Sequence, residues 1–152
     1  MNLSTKYLGL TLKNPIIVGA SNLVTDLDML KKLEEAGASA IVYKSLFEEQ
    51  IQLENLELYR NMNEYSERNA EMISLFPENA FEVGPEEFLM KFAAAKKAIN
   101  IPLIASLNAV YDDSWYSYAQ KLEAAGADAL EINFYAVPTE FDVDGRGILN
   151  EE

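Results

Sequence analysis

Leu33-Glu34-Glu35-Ala36-Gly37-Ala38-Ser39-Ala40 recurs downstream as Leu122-Glu123-Ala124-Ala125-Gly126-Ala127-Asp128-Ala129. In both copies a helical stretch ends at glycine, where a left-handed residue is wanted. An apolar run follows almost at once: Ala40-Ile41-Val42-Tyr43 in the first copy, Ala129-Leu130-Glu131-Ile132-Asn133 in the second. Helix, glycine, strand, twice over, favours a parallel α/β sheet joined by right-handed crossovers.

Working outward, Lys6 to Lys13 alternates around Gly9 and reads as a small β-hairpin, closed by Asn14-Pro15. Ile16-Ile17-Val18 stops at Gly19, a run that suits a strand buried on both faces. Thr25 or Asp26 caps a helix to about Ala36, with Leu27, Leu30, Leu33 and Ala36 at helical spacing. Leu46 to Met62 is expected to be helical, and Asn61 to Ser74 polar and partly loop. Gly84-Pro85 sets up a helix with the proline at its first position, followed by the apolar stripe Phe88, Leu89, Phe92, Ala95 and Ile99. Pro102 to Ser106 is the third strand. Asp112 or Asp113 caps a helix through Ala125, and Ala129 to Asn133 is the fourth strand. The expected organisation is one unit: hairpin 1–14, βα units 15–138, and a mobile tail 139–152.

Composition narrows the chemistry. With 49% hydrophobic residues the 152-residue chain should fold rather than stay disordered. It has no cysteine and no histidine, which excludes disulfides, thiolate chemistry and the commonest general base and metal ligand. A net charge of −13 makes nucleic acid and anionic membranes poor partners. The acidic runs Phe47-Glu48-Glu49 and Pro85-Glu86-Glu87 read as solvated helix starts. No apolar run spans a bilayer and the start lacks a signal-peptide pattern, so a cytoplasmic protein acting on a small molecule is expected.

In parallel α/β folds the reactive groups sit where strands end. Those ends carry Gly19-Ala20-Ser21-Asn22, Lys44-Ser45, Ser106-Leu107-Asn108 and Asn133-Phe134-Tyr135. None has metal-ligand spacing, and no glycine-rich phosphate loop is present. The set suits a planar, polar cofactor. Gly19 and Ala20 allow close backbone approach, Asn108 and Asn133 both donate and accept, and Lys44 supplies charge beside an electron-accepting ring.

Three stretches resemble the dihydroorotate dehydrogenase family: Tyr7 to Ser21, Ala36 to Ser45, and Ala127 to Asn133. The resemblance runs from about Thr5 to Pro138. It implies a (β/α)₈ barrel that binds FMN and oxidises dihydroorotate to orotate in pyrimidine synthesis. On that analogy Ala20, Ser21, Lys44, Ser45, Ser106, Asn108 and Asn133 contact the flavin, and Lys44 and Asn133 also contact substrate. Two departures stand out. The place of the family's Cys or Ser base is held by Ala136, which cannot take a proton; Tyr135 and Thr139 are the weaker replacements, and Pro138 stands where an asparagine is usual. A full barrel needs about 250 residues. The expectation is therefore an N-terminal half-barrel of about four strands, truncated or split, that self-associates or pairs with a missing C-terminal half. A flavin oxidoreductase with another substrate and a non-catalytic half-barrel are the alternatives.

Overall fold

In the computed structural model, residues 2–53, 56 and 85–134 are described. Strands β1 (Thr5–Tyr7) and β2 (Leu10–Leu12) form an antiparallel hairpin. Its two-residue loop, Leu8-Gly9, has positive φ at both positions, the geometry that matches strand twist. Then come β3 (Ile17–Val18), α1 (Leu27–Glu35), β4 (Ala40–Val42), β5 (Leu46–Phe47), α2 (Glu86–Ala98), β6 (Leu103–Asn108), α3 (Asp112–Ala124) and β7 (Ala129–Ile132).

The second sheet is parallel, and its register fixes the order of strands. Ile104 of β6 pairs with Val42 and with Ala129, so β4 and β7 flank it on opposite sides. Leu107 pairs with Leu46 and with Ile132, which puts β5 on the same side as β4. With β3 beside β4, the sheet has four columns in chain order: β3, β4–β5, β6, β7. From Val42 to Leu46 one column advances four residues while its neighbour advances three, from Ile104 to Leu107. The extra residue is a bulge within Tyr43-Lys44-Ser45, a device that re-aims side chains.

Alternation along the strands divides the core. Ile41, Tyr43, Leu103, Ala105 and Leu107 face the helices and pack with Leu30, Phe92, Ala95 and Leu122. Tyr43 sits edge-on to Phe88 and Phe92 of α2, with ring centroids 5.6 and 5.3 Å away. Ala40, Val42 and Ile104 face the other way, where Leu10 and Leu12 of the hairpin cover the end at which the strands begin.

The repeated stretch builds the same joint twice. Gly37 has φ +109° and Gly126 φ +98°. The Gly37 and Ala38 amides donate to Glu34 and Leu33 carbonyls, and the Gly126 and Ala127 amides to Glu123 and Leu122. This double bond pattern satisfies the last carbonyls of each helix. The next residue, Ser39 or Asp128, stands just before a strand and ties its start to the neighbouring strand.

Several expectations shift. Asp26, not Thr25, caps α1, accepting from Met29 N at 2.7 Å; Thr25 closes a 3₁₀ turn over Asn22–Thr25. Leu46-Phe47 is a strand, with residues 48–53 helical after it, because two apolar residues fit the open edge of β6. Pro85 is the N-cap of α2 rather than its first residue. Tyr111, not Asp112 or Asp113, is the N-cap of α3, with no side-chain bond of its own. The end of the Leu46–Met62 helix, the loop to Ser74, and the tail from Tyr135 lie outside the described residues.

Candidate functional site

Because the strands are parallel and in register, Ala20, Lys44, Ser106 and Asn133 come to one edge of the sheet, where strands end. At its centre is Ser106, fully buried in β6 on the face away from the helices. Its hydroxyl donates to Glu131 Oε1 at 2.9 Å, directly across the β6–β7 register. Asn133 Nδ2 donates to Ser106 Oγ at 3.0 Å, and the Ser45 and Ser106 oxygens lie 2.7 Å apart. A serine has one proton. With that proton on Glu131, Ser45 is the donor to Ser106, and the chain of donation runs Ser45 to Ser106 to Glu131. The bulge turns Ser45 toward this cluster.

Two residues further along β6, on the same face, lies Asn108. Its side chain is 4% exposed, and Oδ1 has no hydrogen-bond partner among the described residues. A buried carbonyl oxygen left without a donor costs about 1–3 kcal/mol. Sequence placed Asn108 past the end of a shorter strand; the structure extends β6 through it and buries it.

The sequence-predicted set is thus brought together in part. Ser45, Ser106 and Asn133 form one hydrogen-bonded cluster with Asn108 close along the strand. Ala20 and Ser21 are exposed on the loop after β3, and no hydrogen bond among the described residues joins the Ser21 hydroxyl to the cluster. Lys44 is half-buried and forms no ion pair among the described residues. It lines a cleft of about 480 Å³ toward α2, with Tyr43, Phe88 and Lys91 among its walls and Ser45 shared with the cluster. Burial pushes the Tyr43 phenol upward, against a smaller lowering by the Lys91 charge. Tyr135, Ala136, Pro138 and Thr139 lie outside the described residues.

Glu131 is not among the site residues expected from the sequence. Neighbours on a strand point to opposite faces. Asn133 and Ile132 therefore cannot share one, and Ile132 follows Leu130 to the helix face. A carboxylate between Leu130 and Ile132 was the available signal.

Glu48 overturns the expectation of a solvated acidic run. It is 5% exposed, and Oε2 accepts from Val110 N at 2.6 Å and Tyr111 N at 3.4 Å, while Oε1 accepts from Ser114 Oγ at 2.6 Å. It therefore ties Val110, the N-cap Tyr111 and the Ser114 side chain together at the entry to α3. Glu86 and Glu87 do sit at an exposed helix start, where Glu87 pairs with Lys91 at 2.6 Å.

Among the described residues no group of three or more metal-ligating side chains converges, and no helix is long and apolar enough to cross a membrane. No protein-family model matches the chain, and no curated protein does.

Proposed function

We propose that the chain contributes the first four βα units of an FMN-binding (β/α)₈ barrel and serves a flavin-dependent oxidoreductase of the dihydroorotate dehydrogenase type. The carrying observation is the buried Asn108 Oδ1 without a donor, beside the Ser45–Ser106–Asn133 cluster at the ends of the strands. Strand order in chain sequence, with helices on one face and a hairpin at the opposite end, supports the barrel part of the reading. The resemblance of the three motif stretches supports the family part.

The residues present fit the polar edge of a flavin. Asn108 Oδ1 accepts a ring N–H, the second Asn133 amide hydrogen is available to a ring carbonyl, and Ala20 and Ser21 offer small, exposed backbone. The chemistry a bound flavin supplies is acceptance of a hydride. Ser106 contributes position: its proton is committed to Glu131, so it holds Asn133 rather than donating to a ligand.

A second reading, a flavin oxidoreductase with another substrate, is favoured by Ala136, since the family reaction needs a base at that place. Titrating the purified chain with FMN while recording visible absorbance tests the shared premise. A shifted flavin band supports it, and an unshifted spectrum at millimolar FMN counts against it. Anaerobic bleaching by dihydroorotate then separates the two readings.

A further inference from the structure

Resting on that reading, we infer that Glu131 is a positioning residue: acting through Ser106, it turns Asn133 and Ser45 so that each offers an oxygen acceptor to a ligand at the rim. The direction of one proton carries this. Ser106 is fully buried and donates to Glu131 Oε1 at 2.9 Å, so its oxygen is left only to accept. Asn133 can meet that oxygen only with its amide nitrogen, as Nδ2 does at 3.0 Å. An asparagine amide carries its nitrogen and its oxygen on opposite arms, so this bond aims Oδ1 away from Ser106. Ser45 likewise spends its proton on Ser106, across 2.7 Å, which leaves its lone pairs for the cleft it helps to line. Neither Asn133 Oδ1 nor Ser45 Oγ accepts a hydrogen bond among the described residues.

Reversing that proton would invert the rim. Were Ser106 to donate to Asn133, Oδ1 would face inward and the amide hydrogens outward. Glu131 prevents this, because a carboxylate accepts and does not donate. The pair that Asn133 presents, an acceptor beside one remaining N–H, matches the cyclic-amide edge of a flavin ring, where an N–H stands next to a carbonyl. Asn108 Oδ1, on the same face of β6, accepts alongside it. Lys44 lines the cleft together with Ser45 and supplies the cation of the site.

Two measurements on the full chain test this: FMN affinity by visible absorbance, and the urea midpoint without FMN. Glu131→Gln keeps an acceptor for the Ser106 proton and should hold FMN affinity within about twofold. Glu131→Met keeps none, so Asn133 can turn over, and FMN should bind roughly tenfold more weakly, the worth of one hydrogen bond. No matching fall in the urea midpoint is expected, since the side chain is exposed. Asn133→Asp sets two acceptors against each other at Ser106 and should lower the midpoint. Adding Glu131→Gln should restore it, because a glutamine can donate to Ser106 and release the Ser106 proton to the new carboxylate. In a Ser106→Ala background that restoration should vanish, which separates a turned hydrogen bond from relief of like charge. If Asn133→Asp alone does not fold, a cooperative transition regained in the double variant is the restoration. The inference is overturned by Asn133→Asp as stable as wild type, by a restoration that survives Ser106→Ala, or by Glu131→Gln and Glu131→Met changing FMN affinity alike. A wild-type chain that ignores millimolar FMN overturns the flavin reading alone, and the urea comparison then decides the role of Glu131.

Discussion

Where the strands begin, polar groups are closed against each other; where they end, they are not. At the first edge Asp128 Oδ2 accepts from Leu103 N at 2.7 Å and from Lys96 Nζ at 2.5 Å, Ser39 Oγ donates to the Asn14 and Ile16 carbonyls, and Asn14 joins Gly37 O to Ile16 N. At the second edge Ser106 is satisfied three times over while Asn108, two residues away, buries an oxygen with no donor. The two rims divide the labour. One rim holds the sheet together, and the other leaves hydrogen-bonding capacity for something else. Buried unpaired acceptors are uncommon in folded proteins, and this one is open to a donor from a ligand or an ordered water.

The contrast can be broken by substitution. The largest loss is expected at the first rim. Asp128→Ala leaves the buried Leu103 amide without an acceptor and should cost roughly 2–3 kcal/mol in urea unfolding. Glu48→Ala removes the acceptor for two backbone amides at the start of α3 and should cost about 2 kcal/mol, with extra hydrogen exchange confined to residues 110–114. Gly37→Ala meets open space around its new methyl group, so only the left-handed backbone is penalised, by about 1 kcal/mol. Alkaline pH gives a smaller change. Tyr43 is protonated in both states below about pH 10, so its contribution is fully present there. Above that, the unfolded chain releases its proton first, because burial raises the folded value, and stability falls as pH rises. Unfolding midpoints at about pH 9 and about pH 11 should differ in that direction, and Tyr43→Phe should reduce the difference. Least of all, Glu87→Gln should leave the midpoint unchanged, since its pair with Lys91 is exposed.

How much of this could be read from the chain follows the same divide. The first rim is local. Gly37 and Gly126 each end a helix whose periodicity precedes them, and Asp26 stands three residues before the amide it accepts. The second rim depends on phase and on distance. Leu46-Phe47 carries no period long enough to separate strand from helix, and only the open edge of β6 decides it. Glu131 faces the cluster because of where alternation starts in β7, and a shift of one residue exchanges it for Ile132. Glu48 reaches a helix start more than sixty residues away, which no local pattern encodes. The bulge that turns Ser45 toward Ser106 is visible only in the register of two paired strands.

Thermal unfolding with added FMN tests most directly whether the second rim holds a ligand. A ligand that binds only the folded chain stabilises it by about 2.7 kcal/mol at a hundredfold excess over Kd. The wild-type midpoint should therefore rise with FMN concentration, and the rise should be reduced or lost in Asn108→Leu. A wild-type midpoint that does not move at millimolar FMN, or an equal rise in the variant, would contradict it.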